Sequence, residues 1–344
     1  MPKISFEKSI LVSMKLRILI SLLISLIISL SFAQLGASKD TLLKQLSDRH
    51  YSMRGNGYSS GDDFDFSFNE RGSSLMAING KTLLTEKNIE QLTEMIVKAT
   101  GYDNISDNVL EFFKTNVSEI SGKGKTPIDL GEYILFLDVS GEAKPYKVTY
   151  SLEVFEIPNE LWPSTERVIG PADAKYVIRE FSDFQCPYCV RFAMQGFPLI
   201  KEELLSRDDV RFEFHHFPLI NIHVNAFTAA EAAECVVAAN DPEAFWIYHD
   251  ALFERQDSWN KLIDPSAYFV RLAKDLKLKT DGIESCLTDR TFAIKIDDAY
   301  KTAGSKLGIR GTPTVFLNGF KVMNFGDIDA YLRIMKMIDG FDDE

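Results

Sequence analysis

The segment Cys186-Pro187-Tyr188-Cys189 limits the possible folds of this chain more than any other. It follows directly on Tyr176-Val177-Ile178-Arg179-Glu180-Phe181, whose apolar and β-branched content predicts a buried strand. Pro187 suits the first turn of a helix, where a fixed φ and a missing N–H cost nothing, and the apolar positions up to Leu205 are enough to pack that helix. The first cysteine then lies at a helix N-terminus and the second one turn inward. Amides and dipole at such an end favour negative charge, and thiols placed there have pKa values of about 3.5 to 7.5. Cys186 is assigned as the attacking, more exposed sulfur and Cys189 as the resolving one, with exchange passing through a mixed disulfide.

Downstream, Val210, Phe212 and Phe214 alternate with polar residues and predict a second strand over 210–217. A helical pattern then runs from about 225 to 308, with start signals at Asp241-Pro242 and Asp264-Pro265. Gly311-Thr312-Pro313-Thr314 comes next, followed by a hairpin over 314–322 about Asn318-Gly319 and a closing helix over 328–338.

Upstream, 158–173 reads as a linker because it holds Pro158, Pro163, Gly170 and Pro171. Residues 37–157 are expected to form a separate α+β domain. In it Thr85 is a candidate cap for a helix carrying Ile89, Leu92 and Ile96, and Ser106 for one carrying Leu110, Phe113 and Val117. Two strands are expected around Tyr133–Val139 and Val148–Val154, where the apolar period changes to two. The Gly, Ser, Asp and Asn content of 55–73 predicts a mobile loop. Nothing in this domain carries recognisable chemistry.

The stretch Ile18–Leu30 is apolar apart from three serines, follows Lys15 and Arg17, and ends near Ser31-Phe32-Ala33. That is the pattern of a signal peptide over 1–33, starting at Met1 or Met14, and it falls short of the roughly 20 apolar residues that span a bilayer. Cleavage is favoured over an uncleaved anchor. The segment holds four cations against one acid, so its removal would take the net charge of −12 to −15. A chain that acidic repels phosphate backbones and anionic lipid, which argues against a nucleic-acid partner.

Cys186, Cys189, Cys235 and Cys286 are the four cysteines, and in an exported chain they are candidates for disulfides. Other readings of the first pair remain open. It is half of a zinc site only if further ligands exist, and there is no second CxxC; the nearby His215 and His216 lie on a predicted strand. It is otherwise a structural disulfide. Phe184 and Phe217 read as core.

The run Glu180-Phe181-Ser182-Asp183-Phe184-Gln185-Cys186-Pro187-Tyr188-Cys189, followed by His216-Phe217-Pro218-Leu219 and Gly311-Thr312-Pro313-Thr314, resembles the DsbA-like family of envelope thiol-disulfide oxidoreductases over residues 166–340. The order of elements matches an α/β thioredoxin fold with a helical domain inserted at about 225–308, and the DsbA-like domain is bounded at 174–340. The resemblance implies that Pro313 is a cis-proline packed against the disulfide, and that Thr312 is a client-binding backbone position beside Pro187 and Tyr188. It also implies that Glu180 is a buried acid moving a proton to or from Cys189. Pro-Tyr stands where the best-known oxidases have Pro-His, so one contact to the thiolate is missing and the direction of transfer stays open.

Three functions are carried forward. The first is an oxidase donating the Cys186–Cys189 disulfide to exported clients in the periplasm or cell envelope, with no other cofactor and no metal, and reoxidised by a quinone-linked membrane partner. The second is an isomerase or reductase dimerised by 37–157. The third is a chaperone-like binding protein with a structural CxxC. Cys235 and Cys286 are expected to form a second, structural disulfide, since both fall on apolar helical faces and some DsbA-like proteins carry a similar pair. Two buried free thiols are the competing reading, and a relay between the two cysteine pairs is disfavoured.

Overall fold

The computed structural model describes residues 35–343 apart from 48 and 62, so the expected signal peptide and the choice of start residue lie outside the described residues. Among the described residues, no helix is long and apolar enough to cross a membrane. The chain divides into two compact units, one of residues up to 155 together with those from 336 onward, the other of 156–335.

The first unit is a seven-stranded antiparallel sheet with helices on one face. Its elements are α1 (Lys39–Gln45), β1 (Ser52–Arg54), β2 (Gly57–Ser59), β3 (Phe64–Arg71), β4 (Ser74–Leu83), α2 (Glu86–Thr100), α3 (Ser106–Glu111), β5 (Thr126–Asp129), β6 (Tyr133–Ser140) and β7 (Lys147–Val154). The strand order is β1-β2-β3-β4-β7-β6-β5. Leu135, Leu137 and Val139 of β6 and Val148, Tyr150 and Leu152 of β7 point to one face, as a period of two requires, and pack with Leu92 and Ile96 of α2. Thr85 caps α2 by accepting a bond from Asn88 N at 3.3 Å, and Gly101 ends the helix in the left-handed region at φ 72°.

Three local expectations need correction. Residues 55–73 are not a loop. They hold β2 and β3, because Phe64, Phe66 and Phe68 alternate with Asp65, Ser67 and Asn69, and the flexible residues serve the turns. Ser106 does not cap its helix; a 3-10 turn over Asp103–Ile105 precedes it, and Ser106 already has helical dihedrals. Residues 158–173 are more than a linker. Val168–Ile169 pair with a strand of the second unit, and Arg167 is buried there.

The second unit contains β8 (Val168–Ile169), β9 (Tyr176–Ser182), α4 (Pro187–Arg191), α5 (Phe197–Glu203), β10 (Val210–His216), the helices α6 (Ala226–Ala239), α7 (Glu243–Glu254), α8 (Gln256–Trp259), α9 (Ser266–Asp275), α10 (Ile283–Thr288) and α11 (Ala293–Lys306), then β11 (Thr314–Leu317), β12 (Phe320–Val322) and the start of α12 (Ile328–Asp339). Its five strands are ordered β12-β11-β9-β10-β8. The central pair β9 and β10 is parallel, and every other pairing is antiparallel. A π-type turn over Phe192–Gly196 joins α4 to α5, and Asn318 turns the hairpin at φ 52°.

Burial of charge ties β8, β10 and α6 together. Arg167 Nε donates to Glu234 Oε1 at 2.9 Å, its Nη2 pairs with Glu234 Oε2, and His216 Nε2 lies 3.1 Å from Oε1. Burial opposes ionisation of Glu234, but the hydrogen bonds and charges of His216 and Arg167 outweigh it and hold the carboxyl well below the usual range. Replacing Glu234 would leave the buried Arg167 guanidinium without its buried partner, which is costlier than the pair is stabilising.

Within the helical block, Cys235 of α6 is bonded to Cys286 of α10, with Cα atoms 5.9 Å apart and a sequence separation of 51. Closing a loop of that length restricts the unfolded chain by about 4 kcal/mol in the entropy model, and native strain reduces the figure. Replacing both cysteines by alanine should therefore lower the urea midpoint, with a loss of about 2–4 kcal/mol in extrapolated stability. An unchanged midpoint would show that the helices hold together by packing alone.

Candidate functional site

The site is built where β9 gives way to α4. Asp183 follows the last residue of β9, and its buried carboxylate accepts hydrogen bonds from Gln185 N at 2.7 Å and Leu219 N at 2.8 Å, with His223 Nδ1 at 2.7 Å. These bonds turn the chain so that Cys186, whose N–H donates to Asp183 O at 3.0 Å, becomes the N-cap of α4 with extended dihedrals. Pro187 takes the first helical position. Sequence reasoning missed Asp183, although an aspartate two residues before a backbone donor is a recognisable turn signal.

Gln185 and Asn225 extend the same framework. Gln185 Nε2 donates to Asn260 O and its Oε1 accepts from Asn225 N, each at 2.7 Å, while Asn225 Nδ2 donates to Leu262 O at 2.9 Å. Gln256 Nε2 donates to Phe184 O at 2.8 Å. Two loops are thereby fixed beside the cysteines, and they present Ile220, Ile222, Val224, Leu262 and Ile263 to solvent. Tyr188, 61% exposed, adds an aromatic ring with the Arg191 guanidinium 5.6 Å from its centroid, and Pro187 beside it is exposed too.

Both cysteines are free thiols. Cys186 is the more exposed of the two, but at 3% it is far from open, and Cys189 at 0% is closed off. The Thr312–Pro313 peptide is cis. Cys186 Sγ–H donates to Thr312 O at 3.3 Å, so the strand entering β11 lies against the sulfur. Its pKa is lowered to about 6: the hydrogen bond from the Cys189 thiol leads, burial opposes it, and Thr312 and the amides of Cys189 and Tyr188 add to the lowering. Cys189 is pushed well above the ordinary thiol value by burial, by the hydrogen bond it gives Cys186, and by the neighbouring charges. Within one helical turn the two thiols are thus driven in opposite directions.

Glu180 lies beneath them on β9, 1% exposed, with its pKa raised to about 8 by burial and by the Cys186 charge, against a lowering by the neighbouring Ser182 hydroxyl. Tyr331 of α12 is buried nearby, and its hydroxyl donates to Phe325 O at 2.8 Å. Pro313, Thr312, Glu180, Cys186 and Cys189 therefore share one region, while Cys235 and Cys286 are occupied in their own bond. The two histidines are otherwise engaged, His215 stacked on Phe181 at 4.7 Å and His216 bonded to Glu234. Among the described residues, no group of His, Cys, Asp and Glu converges as metal ligands would.

A thioredoxin family model matches residues 163–337. The chain is 30% identical over 163 residues to disulfide bond formation protein D of Bacillus subtilis, an alignment covering 47% of this chain and 72% of that protein. It is 37% identical over 157 residues to Na(+)/H(+) antiporter NhaA 3 of Salinispora tropica, where the match covers 46% of this chain but 22% of the antiporter. The crystal structure of oxidised BdbD from Bacillus subtilis superposes with a TM-score of 0.46 at 29% identity, covering 54% of this chain and 97% of that one. With its family model spanning half of the sequence and its cysteine pair at the start of a helix, the chain belongs to the thioredoxin family, on the DsbA-like side of it.

Proposed function

We propose that this chain is a thiol-disulfide oxidoreductase that passes a Cys186–Cys189 disulfide to cysteine pairs of exported proteins. The observation that carries the reading is the split between the two thiols, with Cys186 lowered to about 6 and Cys189 raised well above its ordinary value. A stabilised thiolate is both a good leaving group and a stabiliser of the reduced form, and a stabilised reduced form makes the disulfide a stronger oxidant. The similarity to a disulfide bond formation protein supports the same direction.

In this mechanism a client thiolate attacks Cys186 Sγ, the Cys186–Cys189 bond breaks, and Cys189 leaves. The second client thiolate then attacks the client sulfur of the mixed disulfide and displaces Cys186. The client gains a disulfide and the enzyme is left as a dithiol. The two sulfurs carry both electrons, so the exchange asks for no metal and no further cofactor. Tyr188, Pro187 and the backbone of Thr312 border the attacked sulfur and are assigned to client contact. The compartment is extracytoplasmic, in keeping with the second disulfide at Cys235–Cys286. A quinone-linked membrane partner restores the first.

Alkylation of the dithiol form checks the assignment of sulfurs. Because the folded pKa of Cys186 is lowered, its thiolate fraction rises with pH through about 6 and is nearly complete at pH 7.5. The iodoacetamide rate should follow that curve, and Cys186→Ser should abolish the fast phase. A rate that climbs only above pH 8 would contradict the reading.

Direction is tested by equilibration with glutathione. The reduction potential of the pair should lie between about −270 mV, the value of a cytosolic reductant, and about −120 mV, that of a strong oxidase. A potential at or below the lower bound would make the chain a reductase.

A further inference from the structure

The floor of the dithiol site holds a hydroxyl that none of these steps uses. Glu180 and Ser182 stand two residues apart on β9 and therefore face the same side of the sheet. Each is 1% exposed, and Cys189 is 0% exposed. Neither Glu180 Oε1 nor Ser182 Oγ has a hydrogen-bond partner of good geometry in the dithiol form. Buried polar oxygens are seldom left so, because their desolvation then goes uncompensated. Ser182 nevertheless lies close enough to both the Glu180 carboxyl and the Cys189 thiol to favour the charged form of each. A serine hydroxyl carries one donor and two lone pairs on a freely turning bond, so it can accept from one neighbour while donating to the other. An alanine would fill the same space at no polar cost.

We propose that Ser182 relays a proton between Glu180 and Cys189, an inference that rests on the exchange reaction proposed above. When a client thiolate attacks Cys186 and the Cys186–Cys189 bond breaks, Cys189 leaves with the electron pair. Ser182 gives its hydroxyl proton to Cys189 Sγ and takes the carboxylic proton of Glu180. The products are a Cys189 thiol, a neutral serine and a Glu180 carboxylate. Reoxidation runs the path backwards. The Cys186 thiolate attacks the disulfide of the oxidising partner and releases one partner thiolate. Cys189 then returns its proton through Ser182 to Glu180, attacks Cys186 Sγ and releases the second partner thiolate.

The test is a single turnover in which the disulfide form is mixed with a dithiol peptide and the mixed disulfide is quenched by acid and measured. Ser182→Ala should slow the departure of Cys189 by about a hundredfold and alter its pH profile. Ser182→Thr, which keeps the hydroxyl, should stay close to wild type, and alkylation of Cys186 should be unchanged in both. A Ser182→Ala rate within twofold of wild type with an unaltered pH profile would overturn the relay. Independently of any variant, the wild-type rate in H2O/D2O mixtures should bow, as two protons in flight require, and a linear dependence would overturn it too. A wild-type protein that forms no mixed disulfide would instead overturn the exchange reaction itself.

Discussion

The second unit is organised around one buried carboxylate. Asp183 lies between the end of β9 and the cap of α4, and its oxygens are held by Gln185 N, Leu219 N and His223 Nδ1. A carboxylate without such partners would be prohibitively expensive to bury, and each partner comes from a segment that must then stay where it is. One residue thus sets the direction in which α4 leaves the sheet, the position of the loop after β10, and the dihedrals that make Cys186 a cap. Gln185 carries the constraint on to Asn225 and Asn260.

The chemistry follows from a steep gradient laid over that frame. Burial alone would raise both thiols, as it raises Cys189 and the carboxyl of Glu180. Cys186 escapes because its sulfur meets donors: the Cys189 thiol, and the amides at the head of α4. The two sulfurs are separated by burial, which leads for Cys189, and by the supply of hydrogen bonds, which leads for Cys186.

Much of this was legible in the sequence because it is local. Pro187 after Cys186 announces a helix start, Asn318-Gly319 a hairpin, and Asp241-Pro242 and Asp264-Pro265 two further helices; the corresponding elements are α4, β11–β12, α7 and α9. The misreading of 55–73 came from weighing Gly, Ser and Asp above the alternating Phe64, Phe66 and Phe68, whose partners across the sheet, Thr82, Gly80 and Ile78, lie ten or more positions away. Gly80 illustrates what such pairing demands, since a Cβ there would fall 2.4 Å from the Tyr150 ring. Asp183 and Ser182 were passed over for a related reason. Polar residues of ordinary kind disclose their role only through burial and the identity of what surrounds them.

The bond between Cys235 and Cys286 closes a ring of chain, and within that ring lie Gln256, Trp259, Asn260 and Leu262. Their side chain and carbonyls hold Phe184, Gln185 and Asn225, and through them the approach to Cys186. The frame that positions the working pair is thus itself closed by a bond of the kind that the pair is proposed to exchange, and the tie exists only while Cys235 and Cys286 are oxidised.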